Sequence, residues 1–171
     1  VMYSGNIGYT HNVETIIDIA ARLQNELEIH FMIIGNGGKK ADLIKSVETR
    51  GLTNCTFLDW LPADKIVYFL SAANLSVVTL TDDTAFVSVP SKTYNILSVG
   101  SPILCVAPEK SEVGQLVKKE QCGKCYDKSH IKEMVNFILQ LKSDKEYYAE
   151  MVQNSLNASM HYTFANASEY V

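Results

Sequence analysis

Apolar residues follow two alternating patterns along the chain: short continuous runs, and stripes that repeat every three or four positions. The short runs, which predict strands, lie at residues 1–4, 29–34, 56–58, 75–80, 103–106 and 123–126. The stripes, which predict helices, lie at residues 11–27, 39–50, 62–70, 90–99, 112–119, 130–141 and 144–160. This alternation predicts an α/β fold: a single domain with a doubly wound, Rossmann-like parallel sheet and helices on both faces.

Four polar or glycine-rich turns each follow a predicted strand, at residues 5–8, 35–38, 59–61 and 81–92. The carboxyl ends of parallel strands meet at one edge of a sheet, where doubly wound sheets bind their ligands. We therefore expect the four turns to form one site. Gly5 and Gly8 bracket the first turn, and glycines there let a backbone approach a phosphate closely. A plain strand-to-helix turn is the alternative explanation of the same glycines.

A loop and a short helix near the middle of the chain are the segment around which we organise the functional prediction. Pro90 suits the first turn of a helix because it lacks an N–H group, and Ser91 is a candidate N-cap. We expect free amides at residues 91–93 and a mobile ammonium on Lys92, which together would attract an anion. Gly100 is expected to end the helix in the left-handed conformation.

The second glycine turn, residues 35–38, leaves an alternative function open. It lacks the spacing of a P-loop, and Lys40 stands where the dinucleotide fingerprint has its third glycine. Asp59, however, follows about twenty residues later at a strand end, where an acidic residue binds the ribose of a nicotinamide cofactor. An NAD-binding domain of an oxidoreductase is therefore the alternative to a nucleotide-sugar site.

Composition limits the partners of this chain. Its 171 residues, 47% of them hydrophobic, are enough for one globular domain with a sizeable core. The net charge of −4 offers no general attraction for nucleic acid, and no apolar run is long enough to cross a bilayer. Because the sequence opens directly in a strand and without a methionine, we interpret it as part of a longer protein.

The cysteines and acidic residues do not predict a metal or redox site. Cys122 and Cys125 form a CxxC sequence that leads into a strand, whereas a redox CxxC opens a helix. A zinc site would need a second pair of ligands, so buried thiols are the favoured interpretation. Asp82 and Asp83 are adjacent, point apart and have no further acidic partner nearby, which indicates a solvated loop.

The assembled motifs resemble the C-terminal, nucleotide-sugar-binding domain of a GT-B glycosyltransferase. The most similar group is the retaining family four, in particular members of bacterial surface-polysaccharide synthesis. The segments that carry the resemblance are residues 3–8, 33–37, 57–62, 75–80, 89–92 and 100–102.

The resemblance implies metal-independent transfer of a sugar from a nucleotide diphosphate donor, with retention of anomeric configuration and no cofactor. The base would lie near residues 35–37 and 59–61, and the diphosphate near residues 5–8 and the helix start. Lys92 would stabilise charge on the leaving diphosphate. The residues implied to bind the donor are Gly5, Asn6, Gly8, His11, Gly35, Asn36, Gly37, Asp59, Trp60, Leu61, Val89, Pro90, Ser91, Lys92 and Asn95.

The chain departs from the family pattern at four places. The family has a glycine–arginine pair after its first strand and a lysine soon after, where this chain has Gly5-Asn6 and His11. Two family glutamates fall on Val87 and Asn95; the first change removes an expected sugar contact, and Asn95 keeps hydrogen bonding without charge. We expect Lys92 to compensate for the missing cations. A non-catalytic interaction module is a further alternative.

As a member of this family, residues 1–171 would be the C-terminal donor-binding domain, with residues 144–171 as its final helix and tail. A glycan or lipid-linked acceptor would bind an N-terminal domain that this chain lacks, so we expect the isolated chain to be inactive. The full-length protein would be cytoplasmic, and association with the inner face of the cytoplasmic membrane stays open.

Overall fold

The structure, a computed structural model, describes residues 1–86 and 89–162. Six parallel strands form one sheet in the order β3-β2-β1-β4-β5-β6, which confirms the doubly wound fold. Because β1 lies between β2 and β4, the direction of winding reverses there, and the switch point falls at the carboxyl ends of β1 and β4. The strands are β1 (Met2–Ser4), β2 (Phe31–Ile34), β3 (Cys55–Leu58), β4 (Ser76–Thr79), β5 (Ile103–Val106) and β6 (Gly123–Tyr126).

Helices connect the strands and cover both faces of the sheet. They are α1 (Glu14–Arg22), α2 (Lys40–Thr49), a 3-10 turn (Ala63–Lys65) that runs into α3 (Ile66–Ser71), α4 (Lys92–Ser98), α5 (Glu112–Glu120), α6 (Ile131–Ser143) and α7 (Lys145–His161). One face packs against α1, α2 and α6, and the other against α3, α4 and α5. Helix α7 contributes to both cores, with Met151 on the first face and Ala158 on the second.

The strands bury alternate residues on the two faces, as the period of two requires. Tyr3 and Leu104 belong to the core under α1 and α6, whereas their neighbours Met2 and Ile103 belong to the core under α4 and α5. All four residues of β5 are buried, as predicted for an interior strand. This packing fixes the carboxyl ends of β1 and β4 as neighbours.

The first helix is shorter than predicted at both ends. It spans Glu14–Arg22 rather than residues 11–27, and Leu27, which was expected to face the core, is 97% exposed. The N–H of Leu23 donates to Ile19 and Ala20, which closes the helix. The apolar spacing of Leu27 is therefore coincidental. Gly100, in contrast, ends α4 at φ +72° as predicted.

The four cysteines are free thiols in the structure. Cys105 and Cys122 are fully buried, whereas Cys55 and Cys125 are partly exposed. Burial raises the pKa of Cys55 to about 11 and that of Cys122 to about 12, so both stay protonated at neutral pH. Within residues 1–86 and 89–162, no three His, Cys, Asp or Glu side chains are grouped as metal ligands. None of the helices in these ranges has the length and apolar character to span a bilayer.

Candidate functional site

The two glycine turns pack directly on each other at the carboxyl edge of the sheet. The N–H of Gly5 donates to Ile34 at 3.0 Å, and the N–H of Ile7 donates to Asn36 at 2.9 Å. Gly35 has φ +139°, and a side chain there would collide with the carbonyl oxygen of Gly5. Contact between the two turns therefore requires Gly35, whether or not a ligand approaches it.

The predicted base-binding segments, residues 35–37 and 59–61, are brought together by Lys40. Its ammonium donates to the carbonyls of Gly35 and Leu58, at 2.9 and 3.0 Å, and to the side chain of Asn36 at 3.1 Å. It also forms an ion pair with Asp59 at 2.6 Å, and this hydrogen bond is the main reason that the pKa of Asp59 is lowered. Lys40 thus fastens β2 and β3 at the point where each strand ends.

Trp60 and Leu61 follow Asp59 at the edge of this region. Trp60 is 54% exposed, which is high for an indole ring, and its outer ring lies next to Gly35. Leu61 is half-buried. The exposed Trp60 leaves an aromatic surface beside the second glycine turn.

Lys92 is not the mobile surface charge that the sequence predicted. Its side chain turns inward, and Nζ lies 4.5 Å from the ring centroid of Tyr3 on β1. A Cβ atom at Gly5 would come within 2.7 Å of Nζ, so the ammonium rests against the first turn. Burial lowers the pKa of Lys92 to about 8. In the described part of the chain, no carboxylate lies within 4.0 Å of this ammonium.

The other two lysines at this edge have carboxylate partners. Lys39 forms an ion pair with Glu14 at 2.6 Å and lies 5.6 Å from the ring of Tyr9, and Lys40 is held by Asp59. Among the residues that the structure describes, no acidic side chain offsets the desolvation of Lys92. A buried cation of this kind is stabilised by any anion that reaches it.

His11 lies in the loop between β1 and α1, three residues before the helix. Its Nδ1 lies 2.9 Å from the carbonyl oxygen of Thr79 and therefore carries the proton that it donates. Burial lowers the pKa of His11, the Thr79 bond opposes this, and the charges of Lys92 and Lys39 add to the lowering. The imidazole is neutral at pH 7, with Nε2 as an acceptor.

The start of α4 differs from the prediction. Ser91 makes no side-chain capping hydrogen bond, and the N–H of Thr93 donates to Pro90 at 2.8 Å, so residues 91–93 do not all offer free amides. The carbonyl oxygen of Pro90 accepts this hydrogen bond, which closes a tight first turn and occupies the amide of Thr93. Ser91 and Asn95 are exposed on α4, whereas Val89 and Pro90 are half-buried. Val87, at the position of the first family glutamate, lies outside the described residues.

Three buried polar side chains at this edge were missed by sequence reasoning: Tyr3, Thr79 and Thr93. The hydroxyl of Tyr3 donates to the carbonyl of Asn6 at 2.6 Å. Thr79 and Thr93 are fully buried, and among the described residues neither hydroxyl has a hydrogen bond of regular geometry, although Thr79 approaches the Tyr3 phenol. No sequence signal distinguishes these residues from ordinary strand and helix residues.

A cavity of about 500 Å³ lies at the opposite, amino-terminal edge of the sheet. It is lined mainly by apolar side chains such as Met2, Met32, Leu75 and Leu141. Its position beyond the amino ends of the strands separates it from Lys92, His11 and the glycine turns.

The strand order and the carboxyl-edge residues define the class of protein: a Rossmann-like α/β domain with a buried cation at its switch point that pairs with no carboxylate among the described residues. The sequence profile of the family described as "Glycosyl transferases group 1" matches residues 1–158. The chain belongs to this family, and its fold is that of the C-terminal domain of GT-B glycosyltransferases.

Two curated relatives act as reference points for the sequence. The chain is 38% identical over 116 residues to the putative colanic acid biosynthesis glycosyl transferase WcaI of Escherichia coli (strain K12), an alignment that covers 68% of this chain and 28% of that protein. It is 28% identical over 125 residues to the probable glycosyltransferase WbjE of Pseudomonas aeruginosa, covering 71% of this chain and 30% of that protein. The alignments thus span less than a third of either relative.

Solved structures with low sequence identity share the fold. Anabaena Alr3699/HepE, in complex with UDP and glucose, superposes with a TM-score of 0.81 at 18% identity, covering 99% of this chain and 46% of that one. The catalytic domain of cholesterol-α-glucosyltransferase from Helicobacter pylori gives a TM-score of 0.77 at 16% identity, covering 95% of this chain and 98% of that one. In the second match the shared fold extends over nearly the whole of both chains.

Proposed function

We propose that residues 1–171 form the donor-binding domain of a retaining, metal-independent glycosyltransferase. The full-length enzyme would transfer a sugar from a nucleotide diphosphate donor to a glycan or lipid-linked acceptor in bacterial surface-polysaccharide synthesis. The observation that carries this proposal is the inward-turned ammonium of Lys92, which lacks a carboxylate partner in the described residues and lies against the Gly5 turn. Family membership supports the class of reaction, and the name of the Escherichia coli relative supports the class of product.

The diphosphate would lie beside the turn of residues 5–8, with the ammonium of Lys92 as its counter-charge. The cation is already desolvated, so its interaction with an incoming anion is stronger than it would be in water. When the bond to the sugar breaks, negative charge grows on the diphosphate, and a fixed cation stabilises that charge without reorganisation. Lys92 would in this way assist departure of the leaving group and supply positive charge where other transferases use a metal ion.

His11 would have a different role from Lys92. In the ligand-free chain its imidazole is neutral and offers Nε2 as an acceptor. An acceptor nitrogen suits a sugar or ribose hydroxyl better than a phosphate oxygen, because two acceptors repel each other. Asn95, exposed one turn along α4, is the second candidate for sugar hydroxyls.

The nucleobase would lie over residues 35–37 and 59–61, where Trp60 provides an exposed aromatic surface. Asp59 already accepts a hydrogen bond from Lys40 and forms an ion pair with it. This pairing reduces the support for a nicotinamide cofactor, whose ribose would need the carboxylate of Asp59.

The acceptor would be bound by a second domain of the full-length protein, which would face this one across a cleft. The alignments span less than a third of the curated relatives, which supports a larger parent protein. We expect the 171-residue chain to bind the donor but not to transfer sugar. The parent protein would act in the cytoplasm, where nucleotide sugars are available, either in solution or at the inner face of the cytoplasmic membrane.

A thermal-shift comparison tests this function. UDP-glucose, GDP-mannose and NAD would each be added to the wild-type chain and to Lys92→Met. Ligand at about 100 times its dissociation constant adds about 2.7 kcal/mol of stability, or roughly 5–10 °C for a domain of this size. We expect one nucleotide sugar to stabilise the wild type and to have little effect on Lys92→Met.

Two other outcomes would contradict the proposal. Stabilisation by NAD alone would favour an oxidoreductase domain. No shift with a panel that covers the common nucleotide sugars would favour a non-catalytic interaction module.

A further inference from the structure

Tyr3 contacts both halves of the proposed diphosphate site. Its ring is 1% exposed, and the face of the ring lies 4.5 Å from Nζ of Lys92. Its hydroxyl, at the other end of the side chain, donates to the carbonyl oxygen of Asn6 at 2.6 Å. One rigid side chain therefore touches the ammonium on α4 and the backbone of the first glycine turn.

The face of the Tyr3 ring replaces part of the hydration that the Lys92 ammonium loses on burial. A cation over an aromatic face is attracted by the quadrupole of the ring, and the attraction is largest where water is excluded. Within the described residues Lys92 has no acidic partner, so this contact is its main favourable interaction. An incoming anion attracts the ammonium far more strongly than the ring of Tyr3 does. The ring contact therefore does not prevent the ammonium from binding an anion.

The hydroxyl of Tyr3 restrains the turn. Burial raises the pKa of Tyr3, so the phenol stays protonated and remains a donor over the whole physiological range. The Asn6 carbonyl that it holds lies between Gly5 and Gly8. Fixing this carbonyl fixes the orientation of the neighbouring peptide groups in the turn.

We propose that Tyr3 is a positioning residue that sets the Lys92 ammonium and the turn of residues 5–8 in place before the diphosphate binds. The identity of the anion rests on the proposed function, whereas the link between Tyr3 and Lys92 does not. Tyr3 would not contact the donor itself. Its effect on binding would be transmitted through Lys92 and the turn.

The other groups that face Lys92 do not replace this role. The imidazole of His11, in the loop before α1, is neutral, and the positive charge of Lys92 disfavours its protonation. Lys39, at the start of α2, also lowers the pKa of His11, and its own charge is neutralised by Glu14. The ring of Tyr3 is therefore the group whose removal changes the environment of the Lys92 ammonium most directly.

Two substitutions separate the two contacts of Tyr3. Tyr3→Phe keeps the ring beneath Lys92 and removes the hydrogen bond to Asn6. Tyr3→Leu removes both contacts and keeps an apolar side chain in the core. The pKa of Lys92 would be measured in each ligand-free protein by NMR titration of 13C-labelled lysine, assigned with Lys92→Met. UDP-glucose affinity would be measured by calorimetry at pH 6.5 and 8.5, a range in which its diphosphate diester does not titrate.

In Tyr3→Phe we expect an unchanged Lys92 pKa and weaker UDP-glucose binding by the same factor at both pH values. In Tyr3→Leu we expect the pKa of Lys92 to fall by about one unit, a tenfold change in its proton affinity. For a site that needs the charged lysine, affinity would then drop roughly 25-fold between pH 6.5 and 8.5, against about fourfold in the wild type. A purely structural role of Tyr3 would not change this pH dependence.

An unchanged or raised Lys92 pKa in folded Tyr3→Leu would overturn the inference. The lysine titration needs no ligand, so it tests the role of Tyr3 even if UDP-glucose does not bind. Absence of UDP-glucose binding with the expected pKa change would instead count against the proposed function alone. If Tyr3→Leu does not fold, Tyr3→Met provides the same test, because it too removes the ring.

Discussion

Replacing Lys92 by methionine should make the ligand-free protein more stable at pH 7 while it abolishes donor binding. Most substitutions of partly buried residues destabilise a protein, so this expectation has an unusual sign. Its basis is that Lys92 is desolvated and, in the described residues, unpaired with any carboxylate. Methionine has a similar length and flexibility and can occupy the same apolar path.

The size of the effect follows from the pKa of Lys92. Burial lowers this pKa from 10.5 to about 8, and one pKa unit corresponds to about 1.4 kcal/mol. The charged form therefore costs roughly 3 kcal/mol at pH 7. This pKa already contains the favourable contact with the ring of Tyr3, so nothing further is subtracted for it. We expect Lys92→Met to raise the free energy of unfolding at pH 7 by about 3 kcal/mol.

The effect should depend on pH with a defined sign. Between pH 8 and 10.5 the unfolded chain holds a proton on Lys92 that the folded chain has lost, so wild-type stability rises with pH relative to the variant. The advantage of Lys92→Met should therefore be complete below pH 8 and shrink as the pH approaches 10.5. Urea unfolding of both proteins at pH 7 and pH 9.5 measures the difference.

Lys40→Met is the matched control. Lys40 lies at the same edge, but its ammonium donates to two backbone carbonyls, to Asn36 and to Asp59. Removing it breaks these bonds, so Lys40→Met should destabilise the protein. If Lys92→Met destabilised the protein to a similar extent at pH 7, the ammonium would have to be satisfied within the fold, and our account of the site would be refuted.

Three further predictions concern the fold. Gly35→Ala should destabilise the protein by roughly 3 kcal/mol or more, because the new methyl group would meet the Gly5 carbonyl and Gly35 has positive φ; a melting temperature near wild type would contradict the tight packing of the turns. Ser111→Ala should cost about 1 kcal/mol, measured by urea unfolding, since the Ser111 hydroxyl caps α5 by accepting from Gly114; no loss would mean that the cap is unimportant. Cys122, buried and with its pKa raised to about 12, should react with Ellman's reagent only after denaturation, so rapid labelling of this thiol in the native protein would be inconsistent with the structure.

The parallel, doubly wound sheet and the gathering of the turns at one of its edges could be predicted because local pattern determines both. Alternation of apolar runs and stripes specifies a parallel doubly wound sheet, and such a sheet gathers the turns after its strands at one edge. Gly100 was predictable for a similar reason, since the end of a helix needs a left-handed residue there. These features depend on residues that are near one another in sequence.

The inward orientation of Lys92 could not be predicted, because it depends on packing between distant segments. A lysine near a helix start usually extends into solvent, whereas here its ammonium meets Tyr3, which is far away in sequence. The same limit explains the missed Thr79 contact of His11, which spans 68 residues. It also explains why the role of Lys40 was not predicted. The sequence showed Lys40 only as a departure from the dinucleotide fingerprint, whereas in the structure its ammonium donates to the carbonyls of Gly35 and Leu58, where β2 and β3 end.

The central claim is that the Lys92 ammonium is the counter-charge for the donor diphosphate. A crystal structure of the protein with UDP-glucose tests this most directly. We predict a diphosphate oxygen within about 3 Å of Lys92 Nζ, with the ammonium moved from the face of Tyr3 toward the ligand. An ordered UDP-glucose whose phosphates lie elsewhere, with Lys92 still over Tyr3, would contradict the claim.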